Sequence, residues 1–103
     1  MTGRLRQSVT LSDVRAHRDQ ILALGRRSGI GNIRVFGSVA HGDAGAESDL
    51  DLLVDVEPGR GYVDLATFAL AVEDLLGVLT QVATVNGLKP RLREQVLADA
   101  VAV

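Results

Sequence analysis

The chain contains no cysteine and no tryptophan, only two prolines, and three aromatic residues in all. Without cysteine there can be no disulfide, no thiolate zinc site and no thiol nucleophile, so any metal must be held by oxygen or histidine. An aromatic content of 3% leaves little on which to stack the bases of a single strand. Basic excess is lacking too. Eleven Lys and Arg against thirteen Asp and Glu give a formal charge of -2, which argues against a nucleic-acid footprint, and no direct nucleic-acid binding is expected. No apolar run is long enough to span a bilayer, so no membrane association is expected. The segment Met1 to Gln20 is broken by Arg4, Arg6, Asp13, Arg15 and Arg18, which leaves no apolar stretch of the kind a secretory leader needs. A cytoplasmic protein is the expectation.

What is present is ordinary soluble composition, 47% apolar and 23% charged over 103 residues, enough for one modest core and one domain, 1–103. Glycines punctuate it. Thr10-x-x-Asp13 has the form of a capping box, and Val14, His17, Ile21 and Leu24 follow at helical spacing, predicting one amphipathic helix over 12–27 that ends at Gly29 and Gly31. Ile33–Phe36 and the almost continuously apolar Leu50–Val56 read as buried strands. The turn Glu57-Pro58-Gly59-Arg60-Gly61 precedes a second helix marked by Leu65, Phe68, Val72 and Leu75, with Gly77 as its stop. Leu79–Val85 reads as a third strand, and Asn86-Gly87 as a turn. Pro90 suits the first position of a last helix whose buried stripe would include Leu92, Val96 and Leu97. The fold class is α/β (α+β), a small mixed sheet packed with helices.

The chemistry lies between the first two strands. Asp49 and Asp51 are two apart on a predicted strand, so their carboxylates share a face about 6.6 Å apart while Leu50, Leu52 and Val54 point into the core. Two such charges at the edge of an apolar strand repel each other and call for a cation. Mg²⁺ fits, because it takes a few carboxylate oxygens and completes its shell with water and phosphate. Directly after the preceding strand, Gly37 lets a phosphate approach backbone N–H groups that a Cβ would screen. The Ser38 hydroxyl adds a donor, and a helical turn starting at Val39 would add free N–H groups. A Gly-Ser pair by itself is usually a turn, and an Asp-x-Asp pair by itself a solvated strand end. Their conjunction is far more specific, because phosphate and metal would meet across one loop. His17 reads as a half-buried helix histidine, His41 as a residue beside the site, Arg60 as an exposed loop residue, and Arg91, Arg93 and Glu94 as a solvated or protein-binding helix face.

Gly37-Ser38, ten residues, then Asp49-Leu50-Asp51 resembles the Gly-Ser-x10-Asp-x-Asp signature of the DNA polymerase β-like nucleotidyltransferase superfamily. Phe36-Gly37-Ser38-Val39-Ala40, Ser48 to Val54, Glu73 to Gly77 and Leu88 to Arg93 resemble its minimal, stand-alone members. The likeness runs from about residue 20 to 103. It implies a nucleotidyltransferase palm with Asp49 and Asp51 as metal ligands and catalytic residues, Gly37 and Ser38 as nucleotide-binding residues, Mg²⁺ as cofactor and ATP as substrate. It also implies an antitoxin that assembles with a HEPN-type RNase toxin and silences it by transferring AMP to a tyrosine hydroxyl.

Two positions depart from the family pattern. Many relatives carry Arg where His41 stands. The third carboxylate, counted back from Leu88-Lys89-Pro90, falls at Gln81, whose amide has neither the charge nor the basicity of a carboxylate. Asp64, in the one Val-Asp-Leu of the chain, precedes the second helix and reads as its N-terminal cap. Two readings therefore stay open: an active protein adenylyltransferase, or a weakened enzyme whose antitoxin action is direct binding. A small-molecule nucleotidyltransferase has less support, since it normally needs a further substrate domain.

Overall fold

The computed structural model describes residues 9–43 and 49–103, so the Ala44 to Ser48 part of the loop lies outside the described residues. The elements are α1 (Leu11–Ala16), α2 (Arg18–Arg27), β1 (Ile30–Phe36), α3 (Ser38–His41), β2 (Leu50–Val56), α4 (Tyr62–Leu76), β3 (Thr80–Ala83), α5 (Pro90–Asp99) and β4 (Val101–Ala102). The strands form one mixed sheet in the order β3-β2-β1-β4. β1 runs antiparallel to β2 and to β4, while β2 and β3 are parallel and joined through α4.

Alternation along β2 sorts the sheet into two faces. Leu50, Leu52 and Val54 are completely buried, and Leu52 pairs with the equally buried Val35. Against this face pack α2 and α4, which also touch each other and bring in Ile21, Phe68 and Val72, none of which has any exposed surface. Asp51 has the opposite parity. Its partners in register are Phe36 on β1 and Gln81 on β3, so these three residues share the other face.

The predicted helix 12–27 is two helices. The Thr10–Asp13 capping box forms as read, with Asp13 N–H donating to Thr10 Oγ1 at 3.0 Å and Thr10 N–H to Asp13 Oδ2 at 2.9 Å. At His17 the backbone leaves helical geometry and the ring turns back on the first helix, Nδ1 lying 3.0 Å from the Asp13 carbonyl. The His17 reading as a satisfied, half-buried histidine agrees with this contact. Asp64 is the third residue of α4 rather than its cap, which is Gly61, and it accepts from Gly61 N–H at 3.1 Å and from Arg60 Nη1 at 3.2 Å.

The larger correction concerns α5. Its period is apolar, as read, but no residue of it is buried, and Leu92 and Leu97 are 41% and 46% exposed. The chain leaves β3 at one edge of the sheet and re-enters as β4 at the other. β4, too short to announce itself in the sequence, is fixed by Val103 N–H donating to the Ile33 carbonyl at 3.2 Å and by Arg15 Nη2 donating to the Ala102 carbonyl at 2.8 Å.

Candidate nucleotide site

β1 ends at Phe36, and the chain must turn at once to begin α3. Gly37 makes that turn with φ 75° and ψ -153°, a backbone conformation that side chains resist. It is glycine for a second reason as well: a Cβ on Gly37 would lie 2.5 Å from Asp51 Oδ2. The bare backbone of the turn and the Asp51 carboxylate therefore face each other directly. Ser38 opens α3, whose first N–H groups have no partner inside so short a helix, and Gly42 closes it in the left-handed region.

On the other side of Asp51, parallel pairing puts Gln81 beside it. Gln81 Nε2 donates to Asp49 Oδ2 at 2.7 Å, so the amide serves as the neutral counterpart of one carboxylate. Asp49 itself is placed by the start of β2, where Leu50 N–H donates to the Leu79 carbonyl at 2.9 Å. Gly37, Asp51, Asp49 and Gln81 thus form one continuous array across β1, β2 and β3, and Ser38 follows Gly37 at its edge. Burial pushes the Asp51 carboxyl above the usual carboxylate range, and the nearby Asp49 charge pushes it further the same way.

The residues fit a divalent cation in part. Two carboxylates on one face, one of them held against its preference to ionise, face a glycine cradle that a Cβ would fill. At the third strand the donor set turns to an amide, and among the described residues no group of three or more histidine or acidic side chains gathers.

Beside the Gly37 turn opens a cleft of about 360 Å³ between α3 and α5. Phe36, Ser38 and His41 line one wall, and Leu92, Val96 and Asp99 line the other. His41 Nε2 lies 3.2 Å from Asp99 Oδ2, linking the two helices across it. Sequence reasoning placed His41 beside the site but had no signal for Asp99, a distant helix-end acid. The other candidates sit elsewhere. The Arg60 side chain packs over Gly29 and pairs with Asp64 at the Val56 end of β2, the end away from Asp49. Arg93 donates to the Leu88 and Asn86 carbonyls at 3.1 Å each and pins the loop ahead of α5.

The nucleotidyltransferase domain family matches residues 17–103. The chain belongs to this family. Among members, it is 31% identical over 84 residues to a protein of Methanocaldococcus jannaschii provisionally named a protein adenylyltransferase, covering 82% of this chain and 90% of that one. It is 34% identical over 80 residues to the protein adenylyltransferase MntA of Thermococcus cleftensis, covering 78% and 81%. A solved structure provisionally assigned as a minimal nucleotidyltransferase superposes with a TM-score of 0.82 at 49% identity, over 92% of this chain and 97% of that chain. A toxin–antitoxin crystal structure with AMP-PNP shares the fold, with a TM-score of 0.69 at 20% identity over 82% and 69%. The nucleotidyltransferase fold accounts for the mixed sheet, and membership makes the chain a nucleotidyltransferase kind of enzyme. Among the described residues no helix is long and apolar enough to cross a membrane.

Proposed function

We propose that this nucleotidyltransferase is the antitoxin of a cytoplasmic toxin–antitoxin pair, binding a HEPN-type RNase toxin and transferring AMP from ATP to a tyrosine hydroxyl of it. The observation that carries the reading is the array itself: a Cβ-free turn at Gly37 facing Asp51, with Asp49 on the same side, in a chain whose relatives include named protein adenylyltransferases. The toxin–antitoxin fold neighbour supports the partner class.

Gly37 and Ser38 hold the triphosphate, the backbone through N–H groups and Ser38 through its hydroxyl. Asp49 and Asp51 are the residues that would hold Mg²⁺, which when bound neutralises phosphate charge and aligns the groups for in-line displacement. In the reaction the tyrosine oxygen forms a bond to the α-phosphorus, the bond from that phosphorus to the bridging oxygen breaks, and pyrophosphate departs with the electron pair. The hydroxyl proton leaves to solvent. Gln81 can orient that hydroxyl through its carbonyl oxygen but cannot accept the proton as a carboxylate would.

The bond from Gln81 to Asp49 favours a second reading, in which transfer is slow and docking alone silences the toxin. Intact-mass measurement separates the two. The product of the neighbouring reading frame, tested as the toxin, is incubated with this protein, ATP and Mg²⁺, and a mass gain of one AMP on that product is expected, absent with Asp49→Asn/Asp51→Asn. A stable complex with no mass gain establishes docking alone, and neither a complex nor a gain overturns the antitoxin reading.

A further inference from the structure

The sheet has two edges, and the chain treats them differently. β4 is two residues long, and carbonyls at that edge are already taken: Arg15 Nε and Nη2 donate to the Ala102 carbonyl at 3.3 and 2.8 Å, and Arg18 Nε to the Val103 carbonyl at 3.1 Å. The β3 edge has no such cover. From Leu75 to Leu88 there is no charged residue and no proline, the usual devices that stop an edge strand from pairing with another chain. Its outward backbone groups can be assigned. Leu50 N–H donates to the Leu79 carbonyl, and bonds in a parallel ladder alternate along the strand, so Leu79, Gln81 and Ala83 turn their peptide groups toward β2 while Thr80 and Val82 turn theirs outward. Thr80 is buried, which leaves Gln81 to Thr84 as the accessible length and Val82 as its central donor and acceptor. Among the described residues no backbone group outside the sheet bonds to Val82.

We infer that this edge is where the acceptor docks: an extended segment of the partner protein adds to β3 as a fifth strand and carries the tyrosine that receives AMP. The inference rests on the proposed transfer to a tyrosine hydroxyl. Continuity with the site selects this occupant. Gln81 lies in register with Asp51 and on the same face, so the residue paired with Gln81 on an added strand has its side chain on that face too. It stands two strand spacings from Asp51, about 10 Å, with the Gln81 side chain between them. A tyrosine leaning across Gln81 brings its hydroxyl toward the carboxylates, whereas a serine or threonine hydroxyl falls short of them. Leu79, two residues before Gln81 on the same face, is 52% exposed at the Asp49 end and gives apolar support to such a ring. Main-chain bonds at Val82 would then supply the affinity, and the length of the side chain opposite Gln81 the specificity.

Hydrogen exchange and one proline test the edge, with the product of the neighbouring reading frame as the probe. With that product bound, the Val82 amide of the unaltered protein is expected to exchange about tenfold or more slowly relative to the protein alone. Val82→Pro removes the outward N–H and leaves the bonds to β2 in place, as an edge strand tolerates. Its fold is checked by circular dichroism. Transfer of AMP to the product, followed by intact mass, is expected to slow about tenfold or more in this variant, while calorimetric ATP binding is unchanged. A folded Val82→Pro that transfers at the unaltered rate, or a Val82 amide that exchanges as before in a complex that carries out transfer, overturns edge docking and leaves the proposed function standing. Should the variant not fold, exchange in the unaltered protein decides alone. Protection of Val82 that rises with the concentration of this protein by itself assigns the edge to a second copy and also overturns the inference. Protection by the product without any transfer keeps the edge as its docking surface and removes the tyrosine from it. A product that neither binds nor gains mass ends the proposed function and the inference together.

Discussion

The two faces of one sheet are built on opposite principles, and β2 belongs to both. Leu50, Leu52 and Val54 face α2 and α4 with no exposed surface, whereas Asp51, one residue out of phase, faces Phe36, Gln81 and the Gly37 turn. The closed face fixes register, because a slip of one residue would turn Asp51 toward α2 and α4 and turn Leu50, Leu52 and Val54 away from them. The other parity carries Asp49 and Asp51 near the Gly37 turn and, farther along, a fully buried Leu53, so only the Gly37 end of that face is left to the carboxylates. The closed face keeps the fold, and the open face keeps the chemistry. Phe68→Ala is the largest expected effect on this division. It empties a completely buried position on the closed face, and a loss of about 3–5 kcal/mol in chemical denaturation is expected. A loss under 1 kcal/mol would show that the closed face is not the seat of stability.

Legibility in the sequence followed the same division. Leu50–Val56 is the strand that its apolar run indicated, and the Gly37 turn stands directly against Asp51. Gln81, found by counting back from Leu88-Lys89-Pro90, stands in register with Asp51. Local signals sufficed there because capping, alternation and turn chemistry act within a few residues. Where they failed, the deciding contacts were distant. The helix break at His17 comes from a side chain turning back on Asp13, β4 exists because Arg15 and the Ile33 carbonyl hold it, and Asp99 meets His41 only through the tertiary path of α5. The stripe of α5 is exposed although its period is apolar, because helical periodicity reports an apolar face but not what covers it.

Gln81→Asp sharpens the open face. The substitution places a carboxylate where the amide now donates to Asp49 and, under the proposed function, supplies a proton acceptor. A general base is worth about 10²- to 10⁴-fold, so a rise in AMP transfer to the toxin of up to that size is expected, with toxin binding nearly unchanged. The readout is a time course of modified toxin by intact mass at matched concentrations. Equal or faster transfer by the unaltered protein would show that Gln81 does not limit the reaction.

The charge on the open face has a pH signature when divalent cations are chelated. Burial, and then Asp49, raise the Asp51 carboxyl above its ordinary value of 3.8 in the folded state. As pH rises from that value through the raised one, the unfolded chain has already released the proton and the folded chain still holds it. The contribution of Asp51 to stability is therefore retained at low pH and lost on the way up. Asp51→Asn removes this loss. The variant is expected to match the unaltered protein in acid and to equal or exceed it at neutral pH, with the difference opening through the carboxylate range in urea titrations. A variant less stable at neutral pH than in acid, relative to the unaltered protein, would reverse the sign and remove the case for electrostatic strain at the site.

The smallest expected effect tests whether the open face is open. Leu97 lies on α5, is 46% exposed, and does not line the cleft that Leu92 and Val96 form. Leucine and alanine both favour helix, so Leu97→Ala leaves the helix itself unharmed. With so little surface buried, the change in stability is expected to stay within about 0.5 kcal/mol, as for an ordinary surface position. ATP affinity is expected to hold as well. Chemical denaturation and ATP titration of the single variant check both at once. A loss of about 2 kcal/mol or more is the cost of a buried leucine. It would mean that α5 closes onto the sheet in solution, that the apolar residues facing Phe36 already have their partners, and that the contrast between the two faces is one of composition only.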